Sequence, residues 1–196
     1  KRTGAAMVKI AVDMCEEKLI NKKSAILRVD PNKLDELLHP IFDIKAIKTA
    51  KVLAQGLPAS PGAATGQIVF FAEDAEEWTQ NGHEIILVRT ETSPEDLKGM
   101  VVAEGILTAR GGMTSHAAVV ARGMGKCCVS GADSLKINYK TRTVEINGLT
   151  LKEGDWISLN GSTGEVYQGK IGTTEAILSE DFDKLMAMAD KHSRME

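Results

Sequence analysis

From Gly4 to Ile20 the apolar side chains Met7, Ile10, Ala11, Met14, Cys15 and Leu19 recur at spacings of three and four, the period of an amphipathic helix. Asn21 punctuates it. Ser24 to Val29 allows another short helix, and Asp30-Pro31 supplies an N-cap and a first-turn proline for a helix over Asn32 to Leu38, which His39-Pro40 ends. Lys45 to Val52 carries a weaker helical pattern. Gly56, Pro58, Pro61 and Gly62 then change the local composition, which predicts a boundary near residue 55.

Beyond it the period becomes mixed. Gln67 to Ala72, Glu84 to Arg89 and Gly105 to Thr108 are short β-rich runs, separated by Glu73 to Gln80 and Ser93 to Leu97, which read as short helices with acidic first turns. That alternation predicts an α/β body. Thr143 to Ile146, Asp155 to Leu159 and Glu165 to Tyr167 are strand-like and are joined by Asn147-Gly148, Glu153-Gly154-Asp155 and Asn160 to Gly164, all turn chemistry. A helical register returns after Gly169 with Ile177, Leu178, Phe182, Leu185, Met186 and Met188. The pattern therefore predicts a compact α/β body over 56–169 between helical segments 1–55 and 170–196. The Gly- and Pro-bearing stretches Gly56 to Gly62 and Gly169 to Thr174 are the expected flexible joints.

Composition removes several classes of function. The 196 residues hold 24 Lys and Arg against 27 Asp and Glu, a formal charge of -3, with no basic run, so nucleic acid is not an expected partner. No apolar stretch approaches the ~20 residues of a membrane span. The expectation is a soluble cytoplasmic protein, with an organelle as the alternative compartment. The chain starts at Lys1 and ends in what reads as an unfinished helix, so it is expected to be a piece of a longer protein. Cys15, Cys127 and Cys128 lack zinc-site spacing, and the adjacent pair would point to opposite faces of a strand, so all three read as small buried hydrophobes. No GxxxxGK[ST] and no strand-linked GxGxxG is present.

Residues 109 to 131, Ala-Arg-Gly-Gly-Met-Thr-Ser-His-Ala-Ala-Val-Val-Ala-Arg-Gly-Met-Gly-Lys-Cys-Cys-Val-Ser-Gly, converge on one histidine. A strand ends at Thr108 or Ala109, Gly111-Gly112 permits a tight turn, Thr114 or Ser115 caps the coming helix, and Gly123 stops it. His116 then sits in the first helical turn. There the positive end of the helix dipole favours a neutral ring, with one nitrogen available as a nucleophile, and suits an incoming anion. Arg110 and Arg122 flank the string, either as phosphate partners or, for Arg122, as a cation at a helix end. His39, His83 and His192 have no metal-ligand spacing and read as surface or packing residues, while Glu95 and Asp96 read as acids at a helix start.

The whole string resembles the phosphohistidine signature of the phosphoenolpyruvate-utilising enzymes. Leu57-Pro58-Ala59-Ser60-Pro61-Gly62-Ala63-Ala64 and Thr92-Ser93-Pro94-Glu95-Asp96 resemble two further stretches of that family, and His39-Pro40 and Asp190-Lys191-His192 resemble its linkers. Met113 and Gly125 to Gly131 place the resemblance with the dikinases that use ATP, phosphate and pyruvate; the synthase and enzyme I branches usually carry Arg at the position of Met113. The resemblance implies a swivelling β/β/α phosphohistidine domain with its flanking linkers. A nucleotide-binding domain would precede it, and a phosphoenolpyruvate/pyruvate TIM barrel would follow.

By the same resemblance, His116 is the phosphorylated residue, with Gly111, Gly112, Thr114 and Ser115 supporting the phosphoryl site. Its Nε2 would attack the β-phosphoryl of ATP, pass the outer phosphoryl to phosphate and give the inner one to pyruvate. Mg2+ would be held by the partner domains, no metal by this chain, and the complete enzyme would be a homodimer. Thr114 matches a threonine that is a site of inhibitory phosphorylation in plant relatives. The alternatives are the carrier domain of a phosphoenolpyruvate synthase and a non-catalytic interaction module of the same fold.

Overall fold

The helical period of the first twenty residues is realised as α1, Gly4–Glu16, and the next short run as α2, Lys22–Leu27, where Asn21 accepts the Ser24 N–H at 2.8 Å as a side-chain cap. The structure, a computed structural model, describes residues 4–31, 34, 36–174 and 180–193. It divides into two compact units, Lys1–His39 with Glu175–Glu196, and Pro40–Thr174. In the first, Val8, Ala11 and Val12 of α1, Ala25 and Val29, and Leu185 of the C-terminal helix Glu180–Ser193 form one buried cluster. The helix expected over 32–38 falls partly outside the described residues; Glu36–Leu38 form a 3-10 turn. Ile177, Leu178, Met195 and the His192 side chain also lie outside them.

The second unit opens with β1, Ile41–Phe42, and α3, Ile44–Thr49, and then carries β2 Val52–Gln55, β3 Leu57–Ser60 and β4 Ala63–Val69. The central alternation is α4 Ala72–Gln80, β5 Ile85–Arg89, a 3-10 turn Pro94–Asp96 running into α5 Leu97–Val102, β6 Gly105–Thr108, α6 His116–Met124 and β7 Cys127–Ser130. Next come β8 Leu135–Asn138, β9 Thr143–Ile146 and β10 Leu149–Lys152, a three-stranded sheet, then β11 Trp156–Asn160, β12 Glu165–Gln168 and β13 Thr173–Thr174. The body is thus α/β with a large mixed sheet.

That sheet has eight strands in the order β2-β12-β11-β4-β5-β6-β7-β3. β4 through β7 are parallel, as helical crossovers require, and the remaining neighbours are antiparallel. β2 and β3 sit at opposite ends of the order, yet only Gly56 separates them, so the sheet rolls until its edges meet. The Gly56 N–H donates to the Gly164 carbonyl at 2.8 Å, and a Cβ on Gly56 would stand 2.6 Å from Val129 Cγ1.

The parallel strands are near-continuous apolar runs because both faces are covered. Ile86, Val88, Leu107, Cys127 and Val129 fill the inside of the roll with Ile157 and Leu159. Ile85, Leu87, Ile106 and Cys128 face the helices, against Met100, Ala117, Ala118 and Ala121. The two adjacent cysteines therefore do point to opposite sides. Burial pushes the Cys127 thiol up to about 12, and pushes Cys128 to about 11 against the lowering effect of Ser130 and Arg122. Both stay protonated at pH 8, where the thiolate is the reactive form. Iodoacetamide at that pH should label only the partly exposed Cys15 in the native protein, and all three cysteines in urea. Peptide mass spectrometry reads the result; native labelling of Cys127 or Cys128 would contradict this packing.

Two expectations are corrected. The body starts at Pro40 rather than near residue 55, because β1 pairs with β13 and β2 with β12. Gly56 to Gly62 is no open joint: Leu57–Ser60 is a strand paired with β7, and the Ala63 N–H donates to the Pro40 carbonyl at 2.9 Å. Among the described residues no helix is long and apolar enough to cross a membrane.

Candidate functional site

Loops leave the carboxyl ends of β5 and β6, the side of a parallel sheet where ligands bind. The two loops are tied together past the strand ends, with the Ala109 N–H on the Arg89 carbonyl at 3.1 Å and the Arg110 N–H on the Thr90 carbonyl at 2.9 Å. The second loop delivers His116 as the first residue of α6. Ser115 is the cap: its backbone is extended, and its Oγ accepts the Ala118 N–H at 3.4 Å. Thr114 is not the cap; it is exposed, and its hydroxyl makes no hydrogen bond among the described residues. Gly125, left-handed at φ 67, ends the helix, two residues beyond the expected Gly123.

The glycine pair serves two different needs. Gly111 has φ 106, and a Cβ there would lie 2.8 Å from Ser115 Cβ, so the turn requires glycine. Gly112 is exposed with open space around it. Arg122 reaches back along its own helix, donating from Nε to the Ala118 carbonyl at 3.1 Å and from Nη2 to the Met113 carbonyl. It braces the loop from the helix side. Arg110 is exposed and lines the cleft together with Glu91, Thr92, Gly111, Ser115 and His116, around a volume of about 250 Å³.

Thr92, from the loop after β5, places its Oγ1 2.9 Å from His116 Nδ1. A hydroxyl can donate or accept in this pair. With Nδ1–H donating to Thr92, the lone pair lies on Nε2, the other ring nitrogen, at the N-terminal end of α6. Thr92 opens the stretch Thr92 to Asp96, where its position along the chain suggests no role; a residue 24 positions from the histidine becomes its partner only through strand order.

One acid of that stretch has structural work. Asp96 is buried, accepts the Ser93 N–H at 2.9 Å and pairs with Arg89 at 3.4 Å. Among the other histidines, His83 lies tilted against Trp78, 5.5 Å between ring centroids, and contacts Gln67 Oε1 through Nδ1 at 2.9 Å. Among the described residues no group of three or more His, Cys, Asp or Glu is placed to hold a metal ion, and the cleft presents a single carboxylate, Glu91.

Residues 82–164 match the family described as PEP-utilising enzyme, mobile domain. Over all 196 residues the chain is 56% identical to pyruvate, phosphate dikinase 1, chloroplastic, from Arabidopsis thaliana, and 57% identical to the chloroplastic pyruvate, phosphate dikinase 1 of Oryza sativa subsp. japonica. Against pyruvate, phosphate dikinase of Clostridium symbiosum the identity is 53% over 97% of the chain. The chain spans only 20%, 21% and 22% of these three relatives.

Proposed function

Because this chain belongs to the PEP-utilising enzymes through their mobile domain, we propose that it is the phosphohistidine carrier of a pyruvate, phosphate dikinase, with His116 Nε2 as the phosphoryl-bearing atom. The observation that carries the reading is the Thr92–Nδ1 bond, which engages one ring nitrogen of a histidine that begins a helix and lines the cleft, so the other nitrogen is the one left for the phosphoryl group. In the proposed sequence the Nε2 lone pair forms a bond to the β-phosphorus of ATP as the bond to the α-phosphoryl oxygen breaks and AMP leaves. Phosphate then takes the outer phosphoryl as pyrophosphate. The remaining phosphoryl passes to the enol oxygen of pyruvate, restoring the neutral ring. A covalent intermediate splits one hard transfer into easier ones.

This chain's own residues bind and orient. The first-turn N–H groups and the dipole of α6 stabilise the phosphoryl oxygens, Gly112 leaves them room, Gly111 holds the turn, and Ser115 keeps the helix start in place. In this reading Mg2+ and the nucleotide and pyruvate sites belong to further domains of the same longer chain. The carrier alone does not turn over. Thr114, exposed two residues before His116, is a regulatory position on the same reading: a phosphate there would repel an incoming phosphoryl group.

In the longer protein, phosphoenolpyruvate with Mg2+ should place an acid-labile phosphoryl group on His116, at Nε2 by 31P NMR. Thr92→Val should slow uptake about tenfold, the worth of one good hydrogen bond to the ring, and Thr92→Ser should restore most of it. Phosphorylation at Nδ1 or at another residue would overturn the proposal.

A further inference from the structure

Tyr139 opens the turn between β8 and β9, and its hydroxyl reaches across to the loop after β5. The Thr90 N–H donates to Tyr139 Oη at 2.7 Å, and the Tyr139 O–H donates to Thr90 Oγ1 at 3.2 Å. The ring is half-buried. It meets Phe70 edge-on at 6.3 Å between centroids and Phe71 at 5.6 Å, and the Arg89 guanidinium lies 4.9 Å from its centre. Arg89 in turn donates to the Phe70 carbonyl at 3.2 Å and pairs with Asp96, which holds the Ser93 N–H. Thr92 is therefore suspended between two anchored points, Thr90 on one side and Ser93 on the other.

We infer that Tyr139 is a positioning residue for His116, acting through Thr90 and Thr92; this rests on the phosphoryl-carrier reading above. The argument is geometric. A threonine side chain is stiff at χ1, so its Oγ1 goes where its backbone goes. A displacement of about 1 Å would lengthen the 2.9 Å contact beyond hydrogen-bond range. Without that contact both ring nitrogens compete for the proton and for the phosphoryl group. The β8–β9 hairpin thus contributes to the site through the Tyr139 hydroxyl, by way of Thr90 and not by a hydrogen bond to His116 itself.

The 196-residue chain labelled with 15N-histidine reports the tautomer directly. Phosphoramidate, a small P–N donor that phosphorylates imidazoles, then reports which nitrogen reacts by 31P NMR, with no partner domain needed. The wild type should show the Nδ1–H tautomer and mainly the Nε2 isomer. Tyr139→Phe keeps the ring and its stacking; it should lower the Nε2-to-Nδ1 isomer ratio about tenfold, with a matching loss of the Nδ1–H signal. Thr92→Val should give the same fall, and the double variant no further one, because both act through one bond.

Thr90→Ala removes only the second hydrogen bond, so an intermediate ratio is expected, and it serves if Tyr139→Phe fails to fold. A folded Tyr139→Phe with wild-type tautomer and ratio would overturn the inference, as would a double variant whose fall is the product of the two single ones. The carrier reading fails on a different result, a wild-type longer protein that takes no phosphoryl group from phosphoenolpyruvate at His116.

Discussion

His116→Ala in the longer protein should lower overall turnover by more than about a thousandfold while the domain stays folded, because on the proposed carrier reading it removes the nucleophile and nothing else in the cleft can replace it. The other lining residues are Glu91, Thr92, Arg110, Gly111, Ser115 and Ala117, none of them a nitrogen nucleophile that forms a high-energy phosphoryl bond and gives it up again. The structural cost is small. His116 is half-buried at the first position of α6, and among the described residues its ring makes one hydrogen bond, to Thr92, worth about 1 kcal/mol. Alanine also propagates a helix better than histidine. Steady-state assays in both directions, with circular dichroism and a thermal melt of the variant, make the check. A folded variant that keeps a tenth of the turnover would remove His116 from the mechanism.

The largest effect on stability is expected at Gly161, far from the chemistry in sequence. A Cβ on Gly161 would fall 1.9 Å from the Ser60 carbonyl oxygen and 3.0 Å from Cys127 Sγ, and the Gly161 N–H donates to the Gly62 carbonyl at 2.7 Å. The turn after β11 is pressed against the end of β3 where the sheet closes on itself, and the obstacle is backbone. Gly161→Ala should therefore cost about 3 kcal/mol or more, read as a lower urea midpoint. Gly112→Ala, with nothing within 4 Å of the added Cβ, should stay within about 0.5 kcal/mol. Equal midpoints for the two variants would refute the tight closure at Gly161.

How much of this was readable from the chain depends on how local the cause is. Asn147-Gly148 does make a two-residue turn, Asn147 at φ 49 and Gly148 at φ 83, joining β9 to β10 with Ile146 opposite Leu149. Ile85 to Arg89 and Gly105 to Thr108 appear as strands because uninterrupted apolar runs signal burial on both faces. The string around His116 showed its helix start and tight turn, since a cap, a glycine at positive φ and a helical run lie within a few residues of one another. By contrast, Leu57–Ser60 contains a proline and stands between glycines, which reads as a joint; it is a sheet-edge strand, where a missing N–H is tolerated.

The amino-acid sequence by itself determined the α/β alternation, the helix that presents His116, the turn at Gly111 and the opposite facing of Cys127 and Cys128, because each follows from period, capping or backbone freedom over a few residues. Tertiary structure alone decided that β2 and β3 close one sheet across Gly56. It chose Ser115 over Thr114 as the cap, committed Arg122 to the Met113 carbonyl, and brought Thr92 to His116 with Tyr139 behind it. Those contacts join residues whose separation along the chain carries no period. Strand order and the roll of the sheet set their distances, and both arise only when the whole core is packed.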